Sequence, residues 1–347
     1  MAQNLYISGT GTFLPGRITL EEADRAGLCK RSLVWNTGIV SVCVADEESA
    51  PEMAVRAALT ALERAGREPQ QISLVLHASA YYQGHDMWTP ASYIQHHAVG
   101  NRCPAMEVRQ MSNGGMAALE LSWAYLAADP RRTAALITTA DRFARPGFDR
   151  WHSDPGTVCG DGGTALVVST TAGWARVSGI ASVSDPGLER GGRGDDPFSL
   201  APLATRSPID LNGSSASLVR EIGLEAMLRR IEAGQREVFE RACADAGVKF
   251  SEIDWFVLPN MGRTRMKAQF FGPFDIKPER TTWAWGREVG HLGAGDQVAG
   301  LQHLIDNKHL EPGQTCMLVG VGAGFSWTAA VIEVLESPEP TCCLPRH

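Results

Sequence analysis

The chain has 347 residues, 44% apolar and 20% charged, with 36 glycines and a formal net charge of −7 at neutral pH. That length buries a large core and fits two domains or two fused halves, and the composition excludes a disordered or fibrous chain. The charge gives no basic field for nucleic acid, no apolar run approaches the roughly 20 residues that span a bilayer, and "MAQNLYISGTGTFLPG" lacks the pattern of a secretory signal. A cytoplasmic protein with no nucleic-acid or membrane partner is therefore expected.

In chain order, "NLYISGTGTFL" reads as a strand, 51–66 as a helix, "ISLVLHASA" as a strand, 91–99 as a helix and "PAMEVRQ" as a strand. A helix follows Ser112, then the strands "TAALITTADR" and "GGTALVVSTT". The second half repeats the theme with "WARVSGIASVS", a long helix over 217–247, "IDWFVLPN", a helix over 296–306, "QTCMLVGVG" and "SWTAAVIEVL". Such alternation predicts an α/β fold of sheets layered between helices, with 1–172 and 173–347 as structural duplicates. The stretch 185–215, rich in Gly, Pro, Asp and Ser, is too long for an ordinary connection and reads as a substrate loop. The tail "ESPEPTCCLPRH" reads as loose. The eight cysteines, at 29, 43, 103, 159, 243, 316, 342 and 343, follow neither metal-ligand spacing nor a short disulfide framework, so they read as reduced thiols.

The stretch "VRQMSNGGMAALELSWAYL" is a strand turning sharply into a helix with Ser112 at the turn. Ser112 is a favoured N-cap type, and it also stands where a nucleophile gains from a helix N-terminus, whose free N–H groups stabilise developing negative charge. From these residues alone both readings stand.

Five short motifs in order, "TGI" at 37–39, "SNGGMAAL" at 112–119, "GDGGTALVV" at 160–168, "GHLGAGD" at 290–296 and "GAGFSW" at 322–327, resemble the ketosynthase III group of the thiolase superfamily over nearly the whole chain. The resemblance implies a duplicated αβαβα sandwich, the thiolase fold, and a homodimer. Enzymes of this group carry a cysteine where this chain has Ser112. Their histidine, in a "PHQAN"-like turn, corresponds to Asn260 in "PNMGR", and their asparagine to His291. Decarboxylative condensation needs a ready thiolate and paired His and Asn donors, whereas a serine needs an adjacent base that is itself oriented. His291, with Asp296 five residues on, supplies that pair. The pattern is similar to the ketosynthase III-like acyltransferases of natural-product pathways, which carry Cys or Ser with His and Asp and move a finished acyl group from a thioester onto oxygen, nitrogen or a carrier thiol. The resemblance further implies an oxyanion hole from the amides of Ser112 and Ala323. "GVGAGFSW" is followed by a strand pattern rather than a helix, which excludes a dinucleotide site and leaves a tight turn as the bland reading. Asn260 is a pocket donor or a plain turn residue, His291 has a structural alternative, and Asp296 has an N-cap alternative.

Other residues read more simply. His77, His85, His96 and His97 have no convincing metal spacing, so no metal is expected. Cys159 reads as a packed thiol, Asp161 as the holder of its glycine turn, and Trp88, Trp283 and Trp285 as core aromatics. The family's coenzyme A grip, a Trp and an Arg before "TGI", is replaced by Ser32 and Asn36, with Trp35 one place off. "GRTRMK" places Arg263, Arg265 and Lys267 on an exposed turn suited to an acidic acyl carrier protein or a phosphopantetheine phosphate, or to plain solvation. No resident cofactor is expected, since the phosphopantetheine arm belongs to the donor. The partners expected are an acyl carrier protein or polyketide synthase and a small-molecule acceptor such as a sugar or aminocyclitol. The acyl group that the resemblance implies is of an aromatic, salicylyl-like or short-chain kind. A starter-loading or condensing ketosynthase III enzyme and a non-catalytic thiolase-fold partner are the alternatives.

Overall fold

A computed structural model describes residues 4–30, 32, 36–154 and 156–338; Trp35, Cys342, Cys343 and residues 339–347 of the tail lie outside the described residues. The strands are β1 Leu5–Phe13, β2 Arg17–Thr19, β3 Ser41–Cys43, β4 Ile72–Ala78, β5 Ala105–Val108, β6 Ala134–Asp141, β7 Gly162–Ser169, β8 Ala175–Ser184, β9 Trp255–Val257, β10 Thr315–Gly322 and β11 Ser326–Val334. Nine of them form one mixed sheet in the order β5-β4-β6-β7-β1-β8-β11-β10-β9, and β2 pairs with β3. The sheet contains the same pattern twice. β4 runs parallel to β6, β6 antiparallel to β7 and β7 antiparallel to β1, and β9, β10, β11 and β8 repeat those relations in that order. The two sets meet where Leu5 lies opposite Val177 and Ile7 opposite Ala175.

Burial explains the strand sequences. β6 and β7 are buried at every position, which is why "AALITTAD" and "GGTALVVS" run apolar or small without alternation. The helix Ala50–Ala65 starts at a Ser49–Glu52 capping box, ends at the left-handed Gly66 and lays its alanine face on β1 and β7. The helix Leu224–Ala246 covers β8 and β11 in the same way. The helices Gly114–Ala127 and Asp296–Asp306 lie between the two halves and touch strands of both. The result is a five-layer αβαβα sandwich, as the resemblance implies.

Two expectations need correction. The helix expected over 217–247 is two, Leu211–Ile222 and Leu224–Ala246, broken at Gly223, whose φ of 83° leaves the right-handed helix. The 185–215 stretch is not wholly irregular. It contains the turn Pro186–Leu188 and the helix Arg190–Arg193, and from 211 on it is already helix. Its irregular part is tied down by Arg190 to Asp195 and Glu221, and by Arg206 to Asp196 at 2.6 Å and Asp210 at 3.1 Å.

The loops before β7 depend on Asp161, which is fully buried. Its carboxylate accepts from Ala45 N at 2.9 Å, Phe143 N at 2.8 Å and both terminal nitrogens of Arg150 at 2.9 and 3.1 Å. It therefore holds more than its own turn, joining three segments. Asp161→Ala leaves the largely buried Arg150 charge without its carboxylate, and breaking such a pair costs about 3–5 kcal/mol. Urea unfolding should show a correspondingly lower midpoint, and an unchanged midpoint would refute this account.

Candidate active site

The turn that carries Ser112 is strained before it reaches the serine. Met111 has φ of 50°, a left-handed conformation that a side chain of its kind rarely takes. A single helical turn, Met111–Asn113, then leads into Gly114–Ala127. The Ser112 hydroxyl does not cap this helix. It lies 2.7 Å from His291 Nε2, and no side chain caps the helix start.

His291 is delivered from the other half by backbone contacts. Its N–H donates to Val158 O at 2.9 Å and its carbonyl accepts from Gly160 N at 2.9 Å, so residues 290–292 run as a short bridge beside Cys159. Gly290, with φ of 79°, is required for that approach: a Cβ there would lie 2.8 Å from the Val42 side chain and 3.0 Å from Gly160 N. On the other side the loop packs on the serine helix, and a Cβ on Gly115 would lie 2.5 Å from Ala294 O. The "GG" after "SN" is thus a backbone-to-backbone contact that sets the Ser–His distance.

Asp296 orients the imidazole. Its Oδ2 lies 2.6 Å from His291 Nδ1, and the carboxylate also accepts from Asn260 N at 2.8 Å, Leu292 N at 2.8 Å and Asn260 Nδ2 at 3.2 Å. Asp296 opens its helix, but its side chain faces the histidine rather than capping. With Nδ1–H donating to this carboxylate, Nε2 carries the lone pair and accepts the Ser112 O–H. His291 is buried, and burial pulls an imidazole pKa down. The Asp296 charge and hydrogen bond, with Asp154 and Asp141 adding to them, more than reverse this and leave the pKa above 6.5.

Asn260 differs from its expected place. Both of its amide contacts are internal, Nδ2 donating to Gly290 O at 2.9 Å and to Asp296, so it supports the carboxylate instead of donating into a pocket. Arg265 also differs from a free surface cation. It forks onto Asp154 with two contacts of 2.7 Å and donates to Thr157 Oγ1 at 2.6 Å. Arg263 and Lys267 are exposed and have no acidic partner among the described residues, and the Arg263 guanidinium lies against the Gly38 turn. Ala323 follows Gly322, whose own Cβ position is 2.2 Å from Gln110 O and 3.1 Å from Asn113 N, so the β10–β11 turn abuts the serine turn.

The remaining candidates take no part in the hydrogen bonds that join Ser112, His291 and Asp296, and Trp88, expected as a core aromatic, is instead exposed at the surface. Cys159 is buried against Phe143 and Phe148, and burial raises its thiol pKa well above the ordinary value. His77 is fully buried between Thr138 and Gln83, and burial pushes its pKa down to about 4. His85, Trp88, Tyr93, His97 and His96 form a chain of ring contacts near the surface, while Trp283 donates to Met261 O and Trp285 stacks on His303. Among the described residues no cluster of His, Cys, Asp and Glu could hold a metal ion, and no helix is long and apolar enough to cross a membrane. Sequence reasoning missed the Arg265–Asp154 fork, which joins residues 111 apart and leaves no local pattern. It also missed the Met111 strain, which no residue type announces.

Residues 243–334 match the family described as 3-oxoacyl-[acyl-carrier-protein] synthase III, C terminal. Beta-ketoacyl-[acyl-carrier-protein] synthase III of Neisseria meningitidis serogroup C / serotype 2a is 24% identical over 338 residues, covering 95% of this chain and 99% of that one. Among solved structures, ChlB3, an acyltransferase, is 34% identical with a TM-score of 0.91, covering 96% of this chain and 99% of that one. The 3-oxoacyl-[acyl-carrier-protein] synthase III of Aquifex aeolicus VF5 is 20% identical with a TM-score of 0.75, covering 95% and 99%.

The geometry makes a pH prediction. His291 accepts a proton only when neutral, so kcat/KM should fall as pH drops through its raised pKa, with the acid limb above 6.5. Asp296→Asn removes the charge that holds this pKa up. The limb should then move to lower pH while kcat drops on the order of 10⁴, because the imidazole loses its orientation. An acid limb that stays in place in a folded Asp296→Asn protein would contradict the assignment.

Proposed function

Because the chain belongs to the ketosynthase III-like family of the thiolase superfamily, we propose that it is an acyltransferase working through an ester on Ser112. The observation that carries this reading is the continuous chain of contacts Ser112 Oγ to His291 Nε2 at 2.7 Å and His291 Nδ1 to Asp296 Oδ2 at 2.6 Å. Ser112 Oγ attacks the thioester carbonyl as His291 Nε2 takes its proton. The amides of Ser112 and Ala323 receive the negative charge on the carbonyl oxygen, the C–S bond breaks, and the thiol leaves with the proton from His291. In the second half, His291 takes a proton from the acceptor O–H or N–H, which attacks the ester and returns Ser112 to its hydroxyl form. This scheme transfers a finished acyl group and makes no carbon–carbon bond. The Cys-to-Ser and Asn-to-His exchanges favour it over condensation, since a site with one imidazole lacks the paired donors an enolate needs.

The donor we propose is an acyl group on the phosphopantetheine arm of a carrier protein, and the acceptor a hydroxyl or amine of a sugar, aminocyclitol or similar scaffold entering along the 185–215 segment. The acyltransferase ChlB3 among its relatives and the acyl-carrier-protein synthases that share its family support the thioester donor. With Arg265 held by Asp154, the docking charge falls to Arg263 and Lys267. A homodimer is part of the same reading. β5 is an edge strand, and Tyr82, Met87 and Met106 near it are strongly exposed, which suits burial against a second copy.

Incubation with a carrier-bound acyl donor and no acceptor should leave one added acyl mass on the Ser112 peptide. Ser112→Ala should keep its fold and lose the adduct and turnover, and Ser112→Cys should still be acylated, since a thiol is the better nucleophile. Turnover by folded Ser112→Ala at the wild-type rate would end the covalent scheme. Reversing Arg263 and Lys267 to Glu should raise KM for the carrier-bound donor, and added salt should weaken wild-type use of it, while a short thioester mimic is little changed. Equal losses with carrier and mimic would mean that these cations serve the fold or the pocket.

A further inference from the structure

Asp141 ends β6 as the only charged residue of a strand otherwise composed of Ala, Leu, Ile and Thr, and it is fully buried. No cation pairs with it among the described residues. Three backbone N–H groups hold it instead: Ala80 at 2.9 Å, Tyr81 at 2.7 Å and Ala294 at 3.3 Å. The third comes from the middle of the loop between His291 and Asp296. Gly293 in the same loop has φ of 62°, and a Cβ there would lie 2.0 Å from Asp141 Oδ2, so carboxylate and loop backbone are in direct contact. The opposite side of Ala294 presses on the helix that follows Ser112. Its carbonyl is 2.5 Å from the Cβ position of Gly115, and its methyl 3.4 Å from that of Gly114.

We propose that Asp141 is a positioning residue for the Ser112–His291 pair: it clamps the 293–295 turn against the first turn of the serine helix and sets a second buried carboxylate beside His291. This rests on the reading of Ser112, His291 and Asp296 given above. The clamp fixes the one loop whose displacement would lengthen the Ser112–His291 contact, because His291 lies three residues before the clamped amide and Asp296 two after it. The ionisable groups that bear on His291 are Asp296 from its own loop, Asp154 from the segment before β7, Asp141 from β6 and the Cys159 thiol across the bridge. Of the carboxylates, Asp154 is held by Arg265, so Asp296 and Asp141 are the two without an arginine partner. Burial raises the Asp141 pKa to about 7, against the pull of its backbone N–H groups and of His291. It therefore ionises in the range where the imidazole must serve as a base. An ionised Asp141 favours the imidazolium that forms when Ser112 gives up its proton.

Two measurements test this, neither of which needs the natural substrate. In protein labelled with ¹⁵N-alanine, the Ala294 and Ala80 amide resonances should follow the Asp141 titration with an inflection near 7, and Asp141→Asn should abolish it. In the second, the rate at which a fluorophosphonate labels Ser112 is measured against pH. Folded Asp141→Asn should label about 10- to 100-fold more slowly, the penalty of a modest displacement of reacting groups, with its acid limb moved to lower pH. Wild-type labelling and pH limb in folded Asp141→Asn overturn the proposal, and so does a slower rate with an unmoved limb, which a purely structural role would give. Should Asp141→Asn fail to fold, the wild-type titration decides, and a flat Ala294 resonance between about pH 5.5 and 8.5 overturns the clamp. Absence of any wild-type labelling at Ser112 counts instead against the nucleophile reading, leaving the Asp141 contacts to the amide titration.

Discussion

The Asp296 carboxylate is the group on which the site depends. A buried charge is tolerated only when its oxygens are satisfied, and here the donors come from two separate pieces of chain: Leu292 and His291 in its own loop, and Asn260 just beyond β9. Each donor is thereby fixed by the need to satisfy the carboxylate. The same hydrogen bond that satisfies Oδ2 selects the His291 tautomer and leaves Nε2 facing Ser112. Asn260, which the resemblance sets at the place of the ketosynthases' histidine, donates both its backbone and its side-chain N–H to this one group. On the proposed reading the residues fit together: Ser112 needs a base, His291 supplies it, and Asn260 supports the carboxylate that orients it.

Steric contact completes what the hydrogen bonds begin. Ser112 and His291 belong to different halves of the fold, and only small residues allow their backbones to meet. Gly114 and Gly115 accept the 293–295 turn, and Gly290 accepts the Val158–Gly160 segment that leads into β7. Larger residues at these places would push the loop outward by an ångström or more, beyond hydrogen-bond reach of the serine.

Much of this was legible from the residues alone. The β6 and β7 strands announce themselves as unbroken apolar runs, and the Ser112 turn as a strand meeting "GG" and a helix. The His291–Asp296 pair is local, but the spacing alone leaves a structural histidine and an N-cap open, and its reading as a base and its orienter comes through the family resemblance. Other features depend on distant partners or on backbone angles that residue types do not encode. The break at Gly223 lies inside a helical pattern that continues on both sides. The direction of the Asn260 side chain depends on Asp296, 36 residues away. The fate of Arg265 depends on Asp154, which turns an apparent surface cation into a cross-link between loops.

Three fully buried aspartates surround the centre, and the fold treats each differently. Asp161 meets a guanidinium, which neutralises it and makes it structural. Asp296 meets an imidazole and N–H groups, so its charge is free to act on a titrating partner. Asp141 meets N–H groups alone, which offset part of the cost of burial and leave a carboxylate that ionises near neutrality. An arginine beside either of the last two would cancel the negative potential at His291 and lower its basicity. Of these three, among the described residues only Asp161 has an arginine partner, Arg150, which also donates to the Cys159 and Phe143 carbonyls and so holds loops together. The placement of that one cation divides the three into one that builds the scaffold and two that, together with Asp154, hold the His291 pKa up.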